Sequence, residues 1–112
     1  MKGEKIMADK VIETKENEYY VKFNKIFKWE DKDYEGVDLS GLEALTGRQY
    51  CDAVKKFNTG GNMDVIVQQN PQFAAIVASM VTSLPIEFFY DLPARELNAV
   101  KNRVGSYFFG QD

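Results

Sequence analysis

From Tyr19 to Trp29 the chain alternates. Tyr19, Val21, Phe23, Phe27 and Trp29 share one parity, and only Lys25 breaks the series. Alternation puts every second side chain on one face of a pleated strand, so this segment predicts a half-buried strand. The polar run Asp31-Lys32-Asp33 predicts a turn. Tyr34, Val37 and Leu39 then predict a second strand, with Gly36 marking a bulge. Together they make a β-hairpin, which is barely stable alone and must pack on other elements.

Beyond Leu39 the period changes from two to between three and four. Ser40-Gly41-Leu42-Glu43 and Thr46-Gly47-Arg48-Gln49 both fit the capping box, in which side chains and free backbone N–H groups bond reciprocally. The first predicts one turn. The second opens a helix to about Phe57, with Tyr50, Cys51, Val54 and Phe57 on its apolar side. Asn58-Thr59-Gly60-Gly61-Asn62 breaks the chain. Asn70 caps the next helix and Pro71 opens it, where a missing N–H is no loss. Phe73, Ile76, Val77, Met80, Val81 and Leu84 form its stripe, and Pro85 ends it. Residues 85–90 predict a short helix. Pro93 starts the last one, with Leu97, Val100, Val104 and Phe108 on one face. The expected architecture is α+β: an N-terminal hairpin packed on about three helices plus a short connector helix.

Charge divides the chain further. Residues 1–18 carry Lys2, Glu4, Lys5, Asp9, Lys10, Glu13, Lys15, Glu16 and Glu18 with few apolar residues between them. Such a segment buries too little apolar surface to offset its ordering entropy, so it reads as a flexible charged arm. Residues 19–112 read as a single domain. The formal net charge of −3 argues against a general nucleic-acid binder, which needs a basic face to displace counterions. Lys55-Lys56 and Lys101/Arg103 could form only a local basic patch. No apolar run approaches the ~20 residues that span a bilayer, and the N-terminus lacks the apolar core of a signal peptide. A cytoplasmic protein is expected.

The chemistry expected is that of binding rather than catalysis. Histidine is absent, which removes His-based acid–base catalysis, His-paired nucleophiles and most zinc and iron sites. Cys51, the single cysteine, reads as a small buried hydrophobe in a reducing compartment. The Gly60-Gly61 loop lacks the Gly-Lys-Ser or Gly-Lys-Thr ending of a phosphate loop. Glu30, Asp31 and Asp33 read as a solvated turn, not a paired-carboxylate site. No catalytic residue, cofactor or metal ligand is expected.

Aromatic residues are the remaining anomaly. Phe88-Phe89-Tyr90 and Tyr107-Phe108-Phe109 each place three consecutive rings on a helix. Successive helical residues point about 100° apart, so no such triplet can face one core. Either these short helices pack on both sides, or at least one ring of each triplet is an exposed anchor for another protein; on the second reading Phe88, Phe89, Tyr90, Tyr107 and Phe109 are the candidate protein-binding residues.

The order of these features resembles a known family. Ile26-Phe27-Lys28-Trp29 to Val37-Asp38-Leu39 leads into Leu45-Thr46-Gly47-Arg48-Gln49-Tyr50. Phe73-Ala74-Ala75-Ile76-Val77-Ala78 then reaches Ser83-Leu84-Pro85-Ile86-Glu87, and Leu92 precedes a helix ending Val104-Gly105-Ser106-Tyr107-Phe108-Phe109. Over about residues 23–110 this is similar to the short form of the tail assembly chaperones of long-tailed bacteriophages and prophages. The resemblance implies a non-enzymatic protein of the bacterial host cytoplasm, absent from the mature virion. It implies binding to the tape measure protein, which is kept soluble while tail tube subunits are recruited. It also implies a longer form of the same protein, made by ribosomal frameshifting. Homo-oligomer formation stays open, and neither nucleic acid nor membrane is an expected partner. The alternative from composition is a small phage or prophage adaptor or inhibitor that binds one host or phage protein.

Overall fold

A computed structural model describes residues 18–61 and 66–110. Apart from Glu18, the charged arm lies outside these residues. So do Asn62 of the expected loop and the terminal Gln111-Asp112.

Strand β1 (Tyr20–Trp29) pairs antiparallel with β2 (Lys32–Asp38) in a two-stranded sheet. The hairpin turn is tighter than the run 31–33 suggested. Trp29 pairs with Lys32, leaving Glu30 and Asp31 as the loop, at φ of 49° and 68°. Positive φ at both central residues matches the twist of the flanking strands. The bulge also differs from expectation. Between the pairs Lys22–Gly36 and Phe27–Tyr34, β1 inserts Phe23, Asn24, Lys25 and Ile26 where β2 has only Glu35. The irregularity thus lies in β1, around the Lys25 that broke the alternation. Gly36 has another reason to be small. A Cβ there would stand 2.3 Å from the Val21 carbonyl oxygen and 2.6 Å from the Tyr20 hydroxyl.

Ser40–Ala44 forms the single turn expected, as a 3₁₀ helix, but without its capping box. Asp38 supplies the cap instead: its Oδ1 accepts from the Ser40 N–H at 2.9 Å. Helix α1 (Gly47–Thr59) has the full box. Thr46 Oγ1 accepts from the Gln49 N–H at 3.1 Å, and Gln49 Oε1 accepts from the Thr46 N–H at 3.0 Å. Helix α2 (Pro71–Thr82) is capped by Asn70, whose Oδ1 accepts from the Gln72 N–H at 2.8 Å. The hydroxyls that interrupt its apolar run close its far end. Thr82 Oγ1 donates to the Ala78 carbonyl, Ser79 Oγ donates to the Leu84 carbonyl, and Ser83 turns the chain at φ 65°. Helices α3 (Ile86–Asp91) and α4 (Ala94–Phe108) follow.

The core centres on α2, where every residue from Phe73 to Ala78 is buried. A helix apolar on all sides needs neighbours on several sides, and α1, α3 and α4 all pack on it. Phe88 joins the hairpin to this bundle. Its ring meets Phe27, Trp29 and Tyr34 edge-on, at centroid distances of 5.4, 5.5 and 4.8 Å. The Trp29 Nε1–H donates to Asp91 Oδ2 at 3.0 Å, a second tie between hairpin and α3. At the opposite end Tyr50 stacks on Phe108, with centroids 4.7 Å apart.

Cys51 corrects the sequence expectation, because it is exposed. The inward line of α1 runs through Ala53 and Phe57, and Cys51 lies about 160° round the helix from Ala53. No described helix is long and apolar enough to cross a membrane.

Candidate interaction surface

The two aromatic triplets divide between core and surface. Phe88 and Phe89 are fully buried, so as the molecule stands they are core residues and not the contact residues expected from sequence. The short α3 lies between hairpin and bundle, which gives both rings an interior to fill. Tyr90, the next residue, is 49% exposed. In the second triplet Tyr107 is half-buried, edge-on to Phe108 at 5.2 Å, while Phe109 is 47% exposed.

Tyr90 and Phe109 do not share a patch. Tyr90 lines a groove of about 410 Å³ between α1, α2 and α3, with Ile76, Met80, Ile86, Gln72 and Lys56. Ile76, Met80, Ile86 and Tyr90 supply its apolar lining, and Gln72, Ser79 and Lys56 its polar lining. Among the described residues Lys56 is the only charged side chain lining it. Phe109 borders a different cleft, whose other lining is polar: Gln68, Gln69, Lys101, Asn102 and Ser106.

Ile76, Met80 and Ile86 escaped the sequence reading because they belong to apolar runs that read as core. Ile76 is nearly closed off, and Met80 and Ile86 are half-buried. A signal existed. The α2 stripe continues through Met80, Val81 and Leu84, further than one short helix can bury, and all three are only partly covered.

The expected basic patch is weakened by Arg103, whose guanidinium lies 4.5 Å above the Tyr19 ring. Its Nε and Nη2 are enclosed and make no hydrogen bond. Among the described residues no three acidic or cysteine side chains converge to hold a metal ion. Ser79, a hydroxyl of the groove, donates to the Leu84 carbonyl at 2.7 Å. What the groove offers is adaptable apolar contact from methionine, isoleucine and tyrosine, a combination suited to receiving an amphipathic helix.

Models of known protein families, curated proteins and solved structures were all compared with the chain, and none matches.

Proposed function

We propose that this protein is a non-enzymatic binding module that shields apolar helical segments of a partner, acting as a tail assembly chaperone for a tape measure protein. The groove lined by Ile76, Met80, Ile86 and Tyr90 carries the reading. A partner helix with apolar residues at i, i+3, i+4 and i+7 would lay that stripe along it. Half-buried Met80 and half-exposed Tyr90 can repack to different apolar residues, which suits a target whose stripe varies along its length. Many weak copies on one long helical target gain avidity and still allow release when the tail tube takes their place. The tape measure partner itself comes from the resemblance over residues 23–110 and from the order of elements that carries it.

Co-expression with the helix-rich tape measure protein of the same genome tests the reading. The partner should become soluble, co-purify and carry several copies of this chain by light scattering. Replacing the exposed groove residue, Tyr90→Glu, should reduce the recovered partner by about tenfold or more without lowering the melting temperature of the free protein. A partner that stays insoluble with both this chain and its frameshifted longer form would overturn the chaperone reading. Equal recovery with the groove variant would overturn the groove. A one-to-one complex with some other protein would favour the adaptor.

A further inference from the structure

A two-stranded sheet has two outer edges, and here they differ. The edge of β1 lies against α4. There the Asn24 N–H donates to Glu96 Oε2 at 2.8 Å, a carboxylate only 5% exposed. The edge of β2 has no such cover. Among the described residues it pairs with β1 and no other strand, and none of its backbone bonds reaches a helix or loop. The Glu30-Asp31 turn at one end, and the Leu39 N–H donating to the Tyr19 carbonyl at 3.1 Å at the other, set which residues bond inward. Alternation counted inward from each end, with its phase breaking at Glu35 opposite the bulge, then turns the backbone groups of Asp33, Gly36 and Asp38 outward. Beside this edge runs an open groove of about 530 Å³, bounded by Tyr34, Val37 and Asp38 of β2 and by Val81, Thr82 and Leu84 after the core of α2. Free amides, a flanking groove and partly covered aliphatic side chains are the components of a strand-addition site.

Charge selects the occupant. Strand β2 and its turn hold Glu30, Asp31, Asp33, Glu35 and Asp38 against the single Lys32. A second copy pairing through the same edge would set carboxylates against carboxylates, and like charges directly opposite are destabilising. A lysine-rich extended strand would meet them with opposite sign. We infer that the free edge of β2 accepts an extended basic segment of a partner protein by antiparallel or parallel strand addition, separately from the helix groove. The two surfaces both draw on α2 but have no lining residue in common, so this site stands or falls without the chaperone reading.

The test uses the full, isotope-labelled chain and two blocked peptides, one alternating lysine with threonine and the other alternating glutamate with threonine. At roughly 1 mM peptide, the basic one should slow amide exchange at Asp33, Gly36 and Asp38 by about tenfold. The effect should fade with added salt. The double variant Asp33→Lys with Glu35→Lys should reverse the preference toward the acidic peptide. Asp33→Pro, which removes an outward N–H but no ladder bond, should abolish protection by either. The proposal is overturned by shifts scattered over the acidic surface without protection of the β2 amides. Equal protection by both peptides, or a dimer through β2 in the absence of peptide, would also overturn it.

Discussion

Single residues decide the hairpin's local geometry at some cost. Glu30 and Asp31 both sit at positive φ, where a side chain crowds the following carbonyl. Asp31→Gly should therefore raise stability by about 1 kcal/mol, read as an increased denaturant midpoint with an unchanged slope. Tyr20 offers a titration. Burial chiefly, and then the charges of Glu35 and Asp38, raise its phenol above the ordinary value of 10.0. The folded state holds that proton more tightly than the unfolded chain does. Stability is thus unaffected by this group below pH 10 and falls as pH rises through the raised value. Alkaline absorbance titration should show a late-ionising tyrosine that disappears in Tyr20→Phe. Both features escape sequence reading, because a turn register and a local field depend on which strand residues lie opposite each other.

Among the elements, the joint between hairpin and helices matters most. Residues 23–26 of β1 leave the ladder, and Glu96 on α4 takes the Asn24 N–H they would otherwise strand. Charge-assisted bonds of this kind contribute more than neutral ones. Glu96→Ala should cost about 2 kcal/mol and speed amide exchange at Asn24, with Glu96→Gln restoring part of the loss. A mere packing role for Glu96 would leave exchange at Asn24 unchanged. Helix boundaries, by contrast, were legible beforehand. Thr46 with Gln49, and Asn70 with Pro71, make the caps that their sequence order implies, because a capping bond joins residues two or three apart. Ser40 does not cap its turn, because the turn starts one residue early, with Leu39 at the cap position and Asp38 accepting from the Ser40 N–H.

For the molecule as a whole, burial separates stability from binding. Phe88 touches hairpin and helix rings alike, so Phe88→Ala should lower stability by about 3–5 kcal/mol. Any loss of partner binding in that variant would follow unfolding and recover on cooling. Tyr90→Glu, at the groove, should show the opposite: binding lost and melting unchanged. The candidate contact set thus moves from five aromatics to Tyr90 with Ile76, Met80 and Ile86, while Phe109 faces a polar cleft of its own. The contrast between Phe89, with no exposed surface, and Tyr90, half exposed, arises within one turn of a six-residue helix.

The α+β class, the element order and the helix caps follow from the sequence alone. They depend on periodicity and on bonds between near neighbours, which a linear chain displays directly. Which aromatic rings face inward is set by the tertiary structure, since α3 acquires an inside only once the hairpin lies across it. The same holds for Cys51, whose face of α1 points away from α2, and for the edge of β2, which no described element covers while α4 packs on β1. These outcomes depend on where elements meet in space, and contacts between residues far apart in sequence leave no periodic trace along the chain.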